Sequence, residues 1–173
     1  MLRINSNIQV DNYTCCPKTK DELKSIIIER IEKDKDANLN DIDVSEITDM
    51  SELFYGLPNI RNIDISEWNV SNVKTMSMMF MECREFSCDL SKWDVSKVHD
   101  MSSMFENCNN FNSDLSKWNV SNCENFNFMF SDCRKFDSDL EDWDISKGKE
   151  DMRYMFDGCE SLKNRPSWED KFV

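Results

Sequence analysis

Aspartate and asparagine residues recur along this chain at a fixed spacing, and their oxygen atoms are the groups best suited to holding a cation. One column of acids recurs at a constant interval and consists of Asp64, Asp89, Asp114 and Asp139. A second column with the same interval consists of Asn69, Asp94, Asn119 and Asp144. Stacked oxygen ligands of this kind can bind calcium. The same side chains also cap turns by accepting hydrogen bonds from nearby backbone. We favour turn capping and keep the first column as weak calcium candidates.

Four of the eight cysteines share a register of their own. They recur every 25 or 26 residues, at Cys83, Cys108, Cys133 and Cys159. An apolar residue, Leu57, occupies the same register in the copy before the first of them. We expect small buried thiols that stay reduced, although neighbouring copies would be close enough for a bridge. Cys15 and Cys16 form a vicinal pair. No second Cys or His pair lies at ligand spacing, so a metal or redox role there is the less favoured interpretation.

Catalytic groups are scarce in this sequence. The single histidine, His99, occupies a repeat position that holds Lys74 and Glu124 in the neighbouring copies, which is typical of an exposed surface residue. Only three glycines are present, and none belongs to a phosphate-binding loop. The acids recur by repetition instead of converging on a pocket. The sequence therefore predicts a protein that is not an enzyme and uses no cofactor.

A repeat must position all of these residues. Tryptophan, a rare residue, recurs at one constant interval, at Trp68, Trp93, Trp118, Trp143 and Trp168. Full copies begin near Ile63, Asp89, Asp114 and Asp139. A degenerate copy spans Leu39–Asn62, and Trp168 opens a sixth copy that is cut short. A period of this length is typical of stacked coils.

Each copy contains two apolar patterns. The first has the i, i+3, i+4, i+7 spacing of one helix face, as in Met101, Met104, Phe105 and Cys108. A polar residue suited to a helix N-cap precedes it in every copy, at Asp49, Thr75, Asp100, Asn125 and Asp151. The second pattern indicates a short strand within Leu90–Val95. We therefore predict an α/β repeat solenoid: leucine-rich-repeat-like right-handed coils of about 25 residues, each a short strand plus a two-turn helix.

The N-terminal part of the chain differs from the repeats. Thr19 and Glu22 form a capping box, and the apolar residues after it predict a helix from about Lys20 to Lys33. Such a helix would cover the first copy, because arrays need capped ends. We divide the chain into an N-terminal segment with a capping helix, residues 1–38, and a five-coil array with a truncated final copy, residues 39–173.

The repeat resembles a known family. The run Trp93–Cys108, followed by Phe111–Trp118, is similar to BspA-type leucine-rich repeats, and more closely to the mycoplasma-lipoprotein-like subfamily of unknown function found in bacterial surface proteins. Trp68–Phe80 and Trp118–Phe130 match its repeat closely, and the likeness extends from Leu39 to Trp168. The resemblance implies a binding or adhesion module without enzymatic activity. Surface members carry a signal or lipoprotein segment, which is not evident in this sequence.

Charge and hydropathy narrow the choice of partners and location. The net charge of −13 belongs to the repeats, because residues 1–38 carry equal numbers of acids and bases. Such a surface repels nucleic acid and anionic membranes. The N-terminus has no apolar core of signal-peptide length, and no apolar run approaches a membrane span. We expect no nucleic acid, no membrane insertion, and a location in the cytoplasm or in a particle assembled inside a cell, with surface display left open.

A partner surface is indicated where the repeat departs from its own pattern. On the predicted helix, the second and fifth residues after the first apolar position should face water. Five of these positions hold apolar residues instead, namely Tyr55, Met78, Met81, Phe128 and Tyr154. Scattered exposed apolar residues are common, whereas a contiguous strip marks an interface. We predict a non-enzymatic module that binds an unidentified protein. The alternative is a structural component of a surface layer or virion that associates end to end through its open final copy.

Overall fold

The computed structural model describes residues 13–57 and 60–169. Residues 1–12, on which the absence of a signal peptide partly depends, lie outside the described residues, as does the end of the truncated copy at 170–173. The described chain builds one continuous apolar core that runs from Leu23 and Ile27 to Trp168. The division at residue 38 stays a prediction.

The capping helix is confirmed. Helix α1 spans Lys20–Lys33. Its capping box is complete, since the Thr19 side chain accepts from the Glu22 N–H and the Glu22 carboxylate accepts from the Thr19 N–H. Leu23 and Ile27 enter the core. The ammonium of Lys20 donates to Asp49 at 2.8 Å and to Ser51 at 2.9 Å, so α1 is held against the first copy.

The predicted α/β repeat solenoid is wrong. Among the described residues α1 is the one helix, and none forms a strand or sheet. Extended pairing is confined to isolated parallel bridges such as Asp49↔Thr75 and Thr75↔Asp100. Successive copies are nevertheless joined in register by backbone hydrogen bonds, so the molecule is an array built from turns.

The backbone conformation explains why the predicted two-turn helices do not form. We call residues 49–57, 75–83, 100–108, 125–133 and 151–159 the turn segments. Each has two residues in the left-handed region. The first of these residues are Glu52, Met78, Ser103, Phe128 and Tyr154, with φ of 53–58°. The second are Gly56, Glu82, Asn107, Asp132 and Gly158, with φ of 57–69°. A right-handed helix cannot contain such residues, so each segment is a succession of tight turns.

Backbone bonding shows why this conformation is stable. In the segment 50–57, alternate N–H groups donate to carbonyls three residues back, as from Leu53 to Met50 at 3.3 Å. The intervening N–H groups donate to the next copy, as from Phe54 to Met79 at 2.9 Å. The residues predicted as N-caps lie in this ladder instead, as the bridge between Asp49 and Thr75 shows. Buried backbone groups need partners, and each of the first four turn segments relies on the next copy for half of its N–H acceptors.

Large aromatic residues fill the interior between copies. Each repeated indole N–H donates to a carbonyl of the preceding copy at 2.8–3.1 Å, as Trp118 does to Leu90. Rings at equivalent positions stack with nearly parallel planes, for example Phe105 on Phe130 at 5.6 Å and Trp118 on Trp143 at 6.5 Å. The predicted strand within Leu90–Val95 is not formed: residues 91 and 92 make a turn, and the rest of the span, which carries Trp93, is irregular. The repeat period of tryptophan therefore reflects both packing and a hydrogen bond.

The cysteine column lies inside this core as free thiols. The thiol of each donates to the phenylalanine carbonyl of the preceding copy at 2.9–3.1 Å, as Cys108 does to Phe80; the four donors are Cys83, Cys108, Cys133 and Cys159. Burial raises the pKa of the Cys83 thiol to about 12, and it raises that of Cys108 well above its ordinary value. These groups act as small buried hydrogen-bond donors and are poor nucleophiles.

Candidate functional site

The residues predicted for partner binding lie on the turn segments. Tyr55 is 46% exposed, Met78 37%, Phe128 38% and Tyr154 63%, while Met81 is half-buried. Five large hydrophobic side chains are exposed in the described part of the chain, and four of them are in this set. The fifth is Tyr13. The helix on which the exposure was predicted is not formed. Met78, Phe128 and Tyr154 are left-handed residues, and Tyr55 is the third residue after one.

The five residues form two patches instead of one strip. Tyr55, Met78 and Met81 come from the first two copies, and the Gly56 N–H donates to the Met81 carbonyl at 3.0 Å. We call them the N-terminal patch. Phe128 and Tyr154 come from the fourth and fifth copies and stack at 5.1 Å between ring centroids; they form the C-terminal patch. Ser103, 7% exposed, separates the two.

A groove lies beside the C-terminal patch and was not foreseen from the sequence. Its volume is about 580 Å³, and Tyr154 lines it together with Met152 and Phe156 of the last turn segment. Trp168 and Arg165 form another part of the lining. The Arg165 guanidinium donates to the Phe156 carbonyl at 3.2 Å and to Glu169 at 2.6 Å.

The carboxylates of the acidic column form hydrogen bonds within their own turns. In Asp64, Asp89, Asp114 and Asp139, one carboxylate oxygen accepts from the N–H two residues on at 2.9–3.1 Å. The second column behaves alike, as Asp94 does with Ser96 at 3.0 Å. Residues 13–57 and 60–169 contain no group of three or more His, Cys, Asp or Glu that could hold a metal ion. The local bonds support turn capping, and the calcium candidates gain no support.

A polar groove runs along part of this column. Its volume is about 460 Å³, and its lining includes Asp114, Asp137, Asp139 and Asp142 beside Lys117. The Asp114 carboxylate accepts from the Ser116 N–H at 3.0 Å, and that bond leads the interactions that lower its pKa. The groove is therefore lined by carboxylates, at least one of which already has a structural partner.

Asp89 offers a test of the column. Asp89→Ala is expected to lower the free energy of unfolding by about 1 kcal/mol, since it removes the acceptor for the Ser91 N–H and the Ser113 hydroxyl. These bonds hold the pKa of Asp89 below its ordinary value, the Ser91 N–H first. The charged form is thus favoured by folding. Its stabilisation is present above a pH of about 4 and is lost as pH falls through the folded-state pKa.

Urea unfolding at about pH 7 and about pH 3 measures both effects, with Asp89→Asn as the control that keeps the acceptor oxygen. The advantage of Asp89 over Asn is expected to disappear at the lower pH. Calcium is expected to leave every midpoint unchanged. A calcium-dependent rise in the parent that Asp89→Asn abolishes would contradict the turn-capping assignment.

The other reactive residues do not form a site. His99 is exposed. Cys16 is exposed, whereas Cys15 is half-buried, and its carbonyl accepts from the Asp43 N–H at 2.9 Å. Burial raises the pKa of the Cys15 thiol, which opposes a nucleophilic role. The neighbourhood of the pair is structural, because residues 14 and 15 pair with the first copy.

Comparison with known families shows which family this chain belongs to. A family described as "Mycoplasma protein of unknown function, DUF285" matches residues 23–124 and again residues 84–172. The chain belongs to this family. The two overlapping matches cover α1 from Leu23 onwards and nearly the whole array. The predicted resemblance is confirmed at the level of this mycoplasma family.

Two further comparisons were negative. No curated protein and no solved structure matched the chain. In the described part of this DUF285 protein, no helix combines the length and the apolar character needed to cross a membrane. What the family member does must therefore be argued from its surface.

Proposed function

We propose that this protein is a non-enzymatic module that binds another protein through the N-terminal and C-terminal patches. The observation that carries the proposal is the concentration of exposed apolar side chains on the turn segments. Aromatic residues and methionine are the side chains that interfaces favour. Elsewhere in the described array the large apolar residues are mostly buried, so the patches are an exception that packing does not require.

The backbone of the array supports a binding role. Met78, Phe128 and Tyr154 all occupy left-handed positions, where residues that carry a Cβ are disfavoured. The fold would accept glycine or asparagine at these places more readily. Large apolar residues therefore carry a conformational cost there that partial burial offsets only in part, and contact with a partner would complete that burial.

The finer family assignment belongs to the same proposal. A BspA-type binding or adhesion role agrees with a repeat protein that displays apolar residues in two patches. The buried thiols favour a reducing compartment, because such groups persist there as donors. We therefore keep the cytoplasm, or a particle assembled inside a cell, as the proposed location.

Three asparagine substitutions test the patches. The variant carries Met78→Asn, Phe128→Asn and Tyr154→Asn, and asparagine tolerates the left-handed backbone. The matched control changes the two remaining members of the same column, Glu52→Asn and Ser103→Asn. Tagged parent, variant and control are incubated with lysate of the source cell. The bound protein is then identified, purified and titrated by calorimetry.

The proposal expects the control to bind like the parent and the triple variant to bind at least tenfold more weakly, with both variants folded by near-ultraviolet circular dichroism. Equal affinity of parent and triple variant would place the interface elsewhere. If the parent recovers only itself, and light scattering shows oligomers, the structural-component alternative replaces the binding module.

A further inference from the structure

The ladder between copies has a direction. Every backbone–backbone hydrogen bond that joins the described turn segments runs from N–H groups of the earlier copy to carbonyls of the later one. Four such bonds of 2.7–3.0 Å join each pair of neighbours, as from Phe126, Phe128, Phe130 and Asp132 to the residues 151, 153, 155 and 157. The two ends of the array therefore differ: one presents carbonyls and the other presents N–H groups.

The last turn segment repeats this geometry, and no described copy follows it. Its equivalent N–H groups belong to Met152, Tyr154, Phe156 and Gly158, and we call them the donor edge. Within the described residues, none of these four N–H groups has a hydrogen-bond acceptor. Unpaired backbone donors in a row form a template for another chain. The first three of these residues also line the 580 Å³ groove.

A second, independent feature of the groove points to an occupant. Glu169 lines it, and one of its carboxylate oxygens accepts from Arg165 at 2.6 Å. The other oxygen is buried and has no hydrogen-bond partner in the described part of the chain. A buried acceptor without a donor is costly. A polypeptide in the groove could supply a donor to this oxygen while its carbonyls pair with the donor edge.

A second copy of this protein fits poorly. Two donor edges cannot pair with each other, because each offers N–H groups and no carbonyls. The carbonyl end of the array is where α1 is held, with Lys24 donating to the Glu52 carbonyl at 2.9 Å and Lys20 bound to Asp49 and Ser51. Joining head to tail would require α1 to leave. A second copy is therefore disfavoured as the occupant.

The position of Arg153 indicates what that segment carries. The groove lining contains three basic residues and three acidic ones, namely Lys149, Arg153, Arg165, Glu150, Asp157 and Glu169. Of the basic residues, Lys149 and Arg153 are exposed and form no salt bridge within the described residues. Arg153 holds the turn-segment position at which side chains of neighbouring copies meet, as the Ser77 and Ser102 hydroxyls do at 2.9 Å. An acidic side chain at the matching position of the occupant would face this guanidinium.

We infer that the donor edge binds a segment of a partner protein, which folds onto the array as one more turn segment and places an acidic residue opposite Arg153. The inference goes beyond the patches, because it depends on backbone groups and Arg153 instead of exposed apolar side chains. Such an addition is a form of edge recognition in which the backbone supplies affinity and the side chains supply specificity.

The chain itself provides the probe. A synthetic peptide of residues 98–112 contains a turn segment whose carbonyls accept from the preceding copy. In the probe peptide Ser102→Asp introduces the acid, and Cys108→Ser prevents oxidation. We call this probe the Asp peptide. One control, the Lys peptide, carries Ser102→Lys in place of Ser102→Asp, and a second control has a scrambled sequence. Amide hydrogen exchange and nitrogen–proton correlation spectra of the full chain are recorded during each titration.

The inference expects the amides of Met152, Tyr154, Phe156 and Gly158 to exchange rapidly in the free protein. The Asp peptide should shift their resonances and slow their exchange at least tenfold, whereas the scrambled peptide should do neither. Arg153→Glu is expected to weaken binding of the Asp peptide by about tenfold and to strengthen that of the Lys peptide. Met78→Asn, in the N-terminal patch, should leave both titrations unchanged, which separates this site from that patch.

Three results would overturn the inference. Slow exchange of the four amides in the free monomer would mean that the row is already occupied by the chain itself. Protection of the same amides in a dimer, detected by light scattering, would make the occupant a second copy. If Arg153→Glu changes the affinity of neither the Asp peptide nor the Lys peptide, the ligand is not an acidic segment. None of these outcomes bears on partner binding by the patches.

Discussion

Trp118→Ala is expected to lower the free energy of unfolding by about 3–5 kcal/mol, which is the cost of removing a large buried aromatic side chain. The indole of Trp118 is almost fully buried, stacks on Trp143 and donates to the Leu90 carbonyl at 3.0 Å. It also contacts Phe105 across a tilted pair of rings. The substitution therefore removes packing on both sides of one copy, and calorimetry or urea unfolding measures the loss.

Two control variants divide this effect into its parts. Trp118→Phe keeps a ring but loses the N–H donor, and it is expected to cost about 1–2 kcal/mol, because the Leu90 carbonyl retains its bond from the Trp93 N–H. Trp168→Ala removes the equivalent residue of the last, truncated copy, which stands next to Phe156 at 6.1 Å. Copies contact only their neighbours, so this end variant should lose clearly less than Trp118→Ala. Equal losses at Trp118 and Trp168 would contradict the nearest-neighbour account.

The sequence was informative about which side chains are buried. Met101, Met104, Phe105 and Cys108 all lie in the core, as their spacing predicts. The capping helix was also predictable, because Thr19 and Glu22 encode its start within a single turn. Both features are local or periodic, and periodicity reports which side chains face inward.

The conformation of the turn segments was not predicted, because the i, i+3, i+4, i+7 spacing fits both a helix and a chain of tight turns. One signal in the sequence would have separated the two. Gly56 and Gly158 align with Asn107 and Asp132, and these are the residue types that accept the left-handed region most readily. A column of Gly, Asn and Asp inside a predicted helix argues for turns.

The candidate site was likewise predictable from the sequence only in part. The exposure of Tyr55, Met78, Phe128 and Tyr154 was predicted from the aligned repeats. These residues are apolar at repeat positions that were expected to be polar, and the sequence alone shows this. The donor edge was not predicted, because it depends on the direction in which the N–H groups of the last copy point. That direction is set by the left-handed residues, which a burial pattern does not encode.

Ser103 distinguishes the observed turns from the predicted helix by the sign of an effect. Its φ is +53°, and its N–H donates to the Asn127 carbonyl at 2.8 Å. In a helix, Ser103→Ala would be more stable than Ser103→Gly by about 0.5–1 kcal/mol. In a left-handed turn the order reverses, and Ser103→Gly is expected to be the more stable by about 1 kcal/mol.

The neighbouring residue gives the matched control, and proline gives the largest effect. Ser102 is absent from the left-handed set, so Ser102→Ala should be at least as stable as Ser102→Gly, opposite to the pair at Ser103. Ser103→Pro should cost about 3 kcal/mol or more, because proline fixes φ near −65° and removes the N–H that binds Asn127. Urea unfolding of the five variants decides the matter. If alanine is the more stable choice at both positions, the backbone at Ser103 is helical, and the directional ladder that leads to the donor edge is lost with it.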